Sequence, residues 1–479
     1  MKQQAVNPFL PSWEYIPDGE PRLFGDRVYL YGSHDRFGGK EFCMNDYVCW
    51  SVPADDLSDW RYEGVIWKRT DDPGNRDGKM YLYAPDCVQG PDGRYYLYYF
   101  LGKQFLIGVA VCDEPAGKFE FYDYVHYADG ERLGEKKGDT VQFDPGVYVE
   151  GDKVYLYTGW CPASYEIHLS WGTKVNRSGA QVTLLEPDMV TVKEAPRTIV
   201  PGIRRAKRTA YAEHPFFEAS SMRKIRGKYY FIYSSHQGHE LCYAVSDFPD
   251  RGFRFGGVLV SNGDIGLPGH TVPRTASNFT GNTHGSILEL NGKYYIFYHR
   301  QTDRSQYSRQ ACAEELILEE DGRFRQSEMT SCGLNGGPLS GKGTYEVRIA
   351  CSLQKRRGNR FYLCFRFLHP LELCFRQTGR DREDSPDQYI SCMGNGCRAG
   401  FKYFQFAGDE RKIGITFRGL AKGRLVVTDG EKKIAQIPVA PSWKWKQAES
   451  RLRIRPGVRP LYVIYLGKGK LDLKDFTIQ

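Results

Sequence analysis

Five short segments repeat one pattern of apolar and polar positions: GDRVYLYGS (25–33), DGRYYLYYF (92–100), GDKVYLYTG (151–159), RGKYYFIYSS (226–235) and NGKYYIFYHR (291–300). Each places a charged residue in a tight glycine turn and follows it with an alternating aromatic strand, the signature of a β-hairpin. With Tyr29, Tyr96, Tyr155, Tyr230 and Tyr295 as markers, the spacings are 67, 59, 75 and 65 residues, with no helical periodicity between copies. A strand unit at that period predicts one four-stranded blade per copy. Five blades closed around an axis make a β-propeller, an all-β architecture that leaves no long exposed edges.

Ten to twelve residues before each marker stand Asp18, Asp86, Asp144, Glu218 and His284. In a propeller the strand ahead of each hairpin turn is the innermost one, so these positions converge on the central funnel. The plain alternative is a ring of axis residues bonded to backbone. Converging carboxylates serve either to bind a hard cation or to cleave a glycosidic bond by acid–base chemistry. A calcium site prefers several carboxylates within one loop, and no D-x-D-x-D-G loop occurs. Glu218, set among Phe216, Phe217 and small residues, is the better general acid, because an apolar setting raises a carboxyl pKa. Asp18, in the polar IPDGEPR, is the better base.

A Gly/Ser-rich stretch, SEMTSCGLNGGPLSGKGTY (327–345), ends the repeats, so the sequence predicts a propeller over 1–330 and a second domain over 331–479. Runs such as FKYFQFAG, KIGITFRG and GRLVVTDG, separated by glycine turns, predict a β-sandwich there. The charge splits along the same line. Residues 341–479 carry 28 Lys+Arg and 13 Asp+Glu, a net of +15, whereas residues 1–340 carry 38 and 45, a net of −7. A basic module suits nucleic acid, an acidic polysaccharide or plain solubility; the chain lacks the motifs of a nucleic-acid reader, so no such partner is expected. The chain holds no 18-residue apolar run, so no membrane span is expected. The N-terminus lacks the apolar core of a signal peptide, which points to the cytoplasm, or to secretion if it was trimmed. Thirteen cysteines, without a CxxC pair and several in strand-like runs such as FYLCFRF (361–367), suit a reducing compartment. Oligomeric state stays open.

The chain resembles glycoside hydrolase family 43, five-bladed propeller enzymes that act on arabinose- or xylose-containing glycans with inversion. NPFLPSWEYIPDGEPRLFGDRVYLYGSHD (7–35) is similar to the family's opening and implies Asp18 as general base. FDPGVYVEGDKVYLYTGW (143–160) implies Asp144 as the residue that tunes and orients the acid, and FFEASSMRKIRGKYYFIYSS (216–235) implies Glu218 as general acid. YAPDCVQGPDGRYYLYY (83–99) makes Asp86 a pocket residue. GNTHGSILELNGKYYIFYHR (281–300) places His284 on the axis near an ion or waters, so a structural calcium near the axis is carried as an expectation, with no cofactor required for turnover. Gly19 follows Asp18 where the family has Pro, which keeps Glu20 as an alternative base; Ala219-Ser220 stands where Gly-Pro is usual. Arg309 falls where the family often presents an arginine to the sugar, with a surface arginine as the alternative. Trp160 suits sugar stacking or blade packing, and His34 and Asp35 sit at the funnel rim.

The last 80 residues resemble, more weakly, a family 6 carbohydrate-binding module, with Trp443 and Trp445 as a sugar platform or as packing residues. The expected activity is removal of arabinofuranosyl or xylosyl units from hemicellulose-derived oligo- or polysaccharides. Galactofuranosides or arabinan are alternative substrates for the same chemistry, and a non-catalytic carbohydrate-binding protein is the alternative from another class.

Overall fold

In the computed structural model, which describes residues 4–479 except 103, 163–177, 360–370 and 383–386, the described chain is β-structure with three single-turn 3-10 segments. The FYLCFRF run lies outside the described residues. The repeated hairpins form where the pattern puts them. Arg226-Gly227 takes φ of 48° and 78°, and Asn291-Gly292 takes 51° and 74°. These two-residue turns pair Ile225 with Lys228 and Leu290 with Lys293. Positive φ at both central positions makes a type I′ turn, whose twist matches the flanking strands, and glycine takes the second place without Cβ strain.

Each hairpin extends into a four-stranded antiparallel sheet whose strands pair in chain order. The five sheets run from Glu20 to Trp67, Asp86 to Tyr124, Gly146 to Pro201, Phe216 to Ser261 and Ile287 to Arg325. An aromatic-rich core forms between each neighbouring pair. Tyr31, Trp67 and Tyr99 join the first sheet to the second, and Tyr98, Phe100 and Val147 the second to the third. Tyr157 and Phe231 join the third to the fourth, and Tyr243 and Tyr298 the fourth to the fifth. Trp50 and Phe297 join the last to the first, which closes the ring. Large aromatic side chains suit this task because each buries much apolar area between flat sheets.

The inner strands of the ring are tied by two half-buried arginines. From the first sheet, Arg22 donates to both oxygens of Asp86 in the second (Nε 3.0 Å, Nη2 2.5 Å) and to the Val147 carbonyl in the third. Arg223, in the fourth, donates to Glu20 (2.7 Å) in the first and to the Ile287 carbonyl (2.8 Å) in the fifth. Among the described residues no strand is shared between first and last sheets. Instead Gly19 bridges Gly285 in parallel, and Asn7 bonds Ala313, Glu314 and the Thr330 carbonyl.

After residue 338 the chain builds two six-stranded sheets packed over one core that includes Phe401, Phe404, Phe476 and Tyr345. They grip the ring at both sides of its closure. Arg348 reaches the Pro8 carbonyl (3.1 Å) and Gln377 accepts from the Tyr15 hydroxyl (2.6 Å). On the other side Arg300 donates to Ala350 O (3.0 Å) and lies 3.8 Å over the Phe375 ring, while Lys402 pairs with Asp264 and Glu328.

The axial arginines set a first expectation. Arg22→Ala leaves Asp86, fully buried, with its counter-charge gone, and breaking a buried pair costs about 3–5 kcal/mol. Urea unfolding of the variant should show that loss.

Candidate active site

Asp18 lies just ahead of the first inner strand, Asp144 ahead of the third, Glu218 within the fourth and His284 ahead of the fifth. Three of the backbones here are unusual. Asp18, Asp144 and Ala219 take φ of 58°, 46° and 69°, a left-handed conformation that costs a residue with a Cβ about 1–2 kcal/mol. Such strain gathers at sites where surrounding structure dictates geometry. Pairing of the fourth sheet's first two strands shifts register on both sides of Glu218, a β-bulge that re-aims the side chain. The backbone amide of Ala219 favours the ionised form of Asp144, so Asp144 neighbours the bulge that carries Glu218. A Cβ at Gly146 would meet the Ser220 carbonyl at 2.3 Å; its absence lets the third inner strand lie against that bulge.

The carboxylates are tuned in opposite directions. Burial alone would raise Asp18, but Arg309, then His299, His284 and the Ser33 hydroxyl, outweigh it and hold Asp18 below the usual carboxylate range. Arg309 Nη1 donates to Asp18 Oδ1 (3.0 Å), and Ser33 Oγ donates to Oδ2 (2.6 Å). Asp144 is pushed well up by burial, by the Glu218 charge and by Asp18. Two neighbouring carboxyls whose charges repel resist ionising together, so the pair retains a proton.

The imidazoles nearby are neutral. His284 Nδ1 stands 3.6 Å from Asp144 Oδ2, and burial drives its pKa down to about 4. His299 falls to about 3, from burial and then from Arg309. Its Nε2 faces the Asn282 carbonyl (2.8 Å), which can only accept, so the proton sits on Nε2. Nδ1 is then free to accept the Asp18 N–H (3.4 Å), which steadies the strained Asp18 backbone.

Asp18, Asp144, Glu218 and His284 therefore share one neighbourhood. Arg309 is neither on the surface nor spread toward a sugar: it is buried, with Nε (2.8 Å) and Nη2 (2.9 Å) on Asp35 and Nη1 on Asp18. Asp86 departs from its expected place in the pocket, since it is fully buried with both oxygens taken by Arg22. Glu20, the alternative base, belongs to the same axial network through Arg223 and Ser221. Trp160 is half-buried, its ring 5.7 Å from Phe143, which in turn packs on Tyr83, so an aromatic wall adjoins Asp144.

Ser33, His299 and the role of Asp35 escaped the sequence reading. A signal was present for two of them: Ser33 and His299 each lie four residues after a marker tyrosine, Ser33 just past the second strand of its sheet and His299 near the end of the second strand of its own.

The expected axial calcium does not find a protein-made cage. Calcium takes six to eight oxygens, yet Asp86 and one oxygen of Glu20 are paired with arginine, which leaves Glu20 Oε1 as the carboxylate oxygen of this pair of acids without a hydrogen-bond partner. Among the described residues, the ligand-type side chains close enough to share an ion are His214, Glu240 and Cys242. They form a hydrogen-bond cluster in which His214 (2.6 Å), Ser235 (2.5 Å) and Cys242 (3.5 Å) converge on Glu240 Oε1.

Residues 14–324 match the model of Glycosyl hydrolases family 43. A xylosidase/arabinosidase of Thermoclostridium stercorarium is 49% identical over 482 aligned positions, covering 100% of this chain and 99% of that protein. Among solved structures, a family 43 β-xylosidase/α-arabinofuranosidase from a compost microbial metagenome, in complex with xylotriose and calcium-free, superposes with TM-score 0.51 at 25% identity. It covers 68% of this chain and 98% of its own. An arabinoxylan arabinofuranohydrolase of Bacillus subtilis, at 19% identity and TM-score 0.51, shares the fold over 99% of this chain and 97% of its own.

The left-handed Ala219 gives a stability expectation. Ala219→Gly removes the Cβ strain at φ 69° and should raise unfolding free energy by up to about 1 kcal/mol, after the larger unfolded-state entropy of glycine is subtracted. Denaturant titration of the two proteins reads it.

Proposed function

The chain belongs to family 43 of the glycosyl hydrolases, and from that premise we propose an inverting, exo-acting glycosidase that removes arabinofuranosyl or xylosyl units from hemicellulose-derived glycans. The observation that carries the reading is the opposite tuning of two carboxyl sites: Asp18 held ionised by Arg309, and the Asp144–Glu218 pair holding a proton. A pair of sites pushed apart in this way supplies the base and the acid that inversion needs.

In this mechanism Asp18 takes a proton from a water as that water attacks the anomeric carbon. Glu218 gives its proton to the departing glycosidic oxygen from the other side. Asp144, beside the bulge and next to the Glu218 charge, orients the acid and keeps the proton on the pair. Trp160 and Tyr83 are the aromatic faces available to a sugar ring. Turnover needs no cofactor, and no step runs through an ion. We read the ring of five sheets as a five-bladed propeller over 1–330 and the two six-stranded sheets as a carbohydrate-binding-module-like sandwich over 331–479. The alternatives for the same chemistry are galactofuranosides and arabinan.

Asp18→Asn and Glu218→Gln should each lower kcat by about 10³-fold or more while melting near wild type, tested on p-nitrophenyl α-L-arabinofuranoside, β-D-xyloside and β-D-galactofuranoside. Wild-type rates in either variant would remove the assignment. Saturable glycan binding with no hydrolysis product from folded wild type would mark a binding protein instead.

The pH profile follows from the signs of the shifts. Asp18 must be ionised and is depressed, so activity should persist below the usual carboxylate range and fail as pH drops through that lowered value. The Asp144–Glu218 pair must hold a proton and is raised, so activity should be lost as pH rises through its elevated value. Asp144→Asn removes the like charge and should move this alkaline limb to lower pH while reducing kcat.

A further inference from the structure

Residues 32–46 run between two strands without joining a sheet. The segment nevertheless carries much of what surrounds Asp18. Asp35 grips Arg309 from two directions, and the Cys43 N–H donates to Asp35 Oδ1 (3.0 Å). Phe42 is half-buried with the Arg309 guanidinium 4.9 Å from its ring and Tyr307 edge-on at 4.7 Å. Ordering so many residues outside a sheet costs about 1–2 kcal/mol each in backbone entropy, so something must offset it.

The partner comes from the far end of the chain. Asp381 accepts the Phe37 N–H on Oδ1 (2.6 Å) and the Asn45 amide on Oδ2 (2.9 Å). The same Asn45 amide nitrogen donates to the Asp35 carbonyl (3.0 Å). Next to it, Arg382 donates to the buried Glu14 (3.2 Å), which also accepts from Trp50 (2.9 Å) and pairs with His34 (2.9 Å). Its guanidinium lies over Trp13 and Tyr62 at 5.4 and 5.3 Å. Residues 344 and 336 positions apart in sequence thus hold both ends of one active-site loop.

We propose that Asp381 and Arg382, borne by the sandwich, are positioning residues of the glycosidase site: they hold the 36–45 loop over the buried Asp35–Arg309 pair, and so fix where the half-buried Phe42 meets the sugar. The second domain is on this view a working wall of the catalytic funnel rather than a separate tether for glycan. The inference rests on the assignment of Asp18 and its neighbours as the hydrolytic site.

The contacts are to a loop and not to Asp18 itself, so the expected defect is in substrate capture more than in the chemical step. The test is steady-state kinetics of full-length Asp381→Ala on whichever p-nitrophenyl glycoside the wild type cleaves, with thermal melting alongside. KM should rise about tenfold with kcat within about threefold, in line with the sensitivity of enzymes to small displacements of positioning groups. Asp381→Asn keeps the acceptor for Phe37 and loses the one for Asn45, so it should fall between wild type and Ala. Should Asp381→Ala not fold, Asn45→Ala severs the same contact from the loop side and should raise KM likewise. A lowered melting temperature with unchanged KM would make Asp381 merely structural and overturn the proposal. A wild type that cleaves none of the glycosides sinks the hydrolase reading itself, whereas an active wild type with indifferent variants sinks the brace alone.

Discussion

Like charges cannot be gathered on one axis in a low-dielectric interior unless counter-charges come with them. Here three guanidinium groups, Arg309 buried and the other two half-buried, meet that constraint. Arg22 answers Asp86, Arg223 answers Glu20, and Arg309 answers both Asp35 and Asp18. Each joins strands or loops from different sheets, so charge balance and ring closure are one set of bonds. Arginine suits the position because its planar fork reaches two acceptors in fixed geometry.

What those arginines leave uncompensated is as informative as what they neutralise. Among the described residues no guanidinium pairs with Asp144; the Glu218 and Asp18 charges that raise it outweigh the more weakly felt Arg309. The same fold therefore makes one carboxylate more acidic and another less so within a single funnel. The left-handed backbone at Asp18, Asp144 and Ala219 belongs to this arrangement, since regular strands would not turn those three toward one point.

Much of the ring was legible because its signals are local. A glycine turn and an aromatic alternation within ten residues define each hairpin, and the register of one acid per copy follows from counting. The pairings were illegible because they join residues far apart: Arg22 to Asp86 across 64 positions, Arg223 to Glu20 across 203, Arg309 to Asp35 and Asp18 across 274 and 291. Nothing local to Asp86 says that its partner is an arginine in another sheet, so a structural acid read as a pocket acid. Arg309 was singled out by position but its target was not, because the charge beside it comes from the opposite end of the ring. Tyr15, Glu14 and the 36–45 loop gave no hint that residues near 380 would cover them.

The way the ring closes has a consequence for how the molecule comes apart. With no strand shared between first and last sheets among the described residues, the seam is a zip fastener whose two ends meet at Gly19 and Gly285, and the sandwich is the clasp. Arg348, Gln377 and Arg382 hold one lip of the seam, while Ala350, Lys402 and Phe375 hold the other. Opening the ring first requires undoing the clasp, which makes release of the sandwich the gate to unfolding and ties the lifetime of the hot protein to that one rate. Two bodies that differ in architecture and in charge would then melt as one, a single calorimetric peak whose position moves with heating rate.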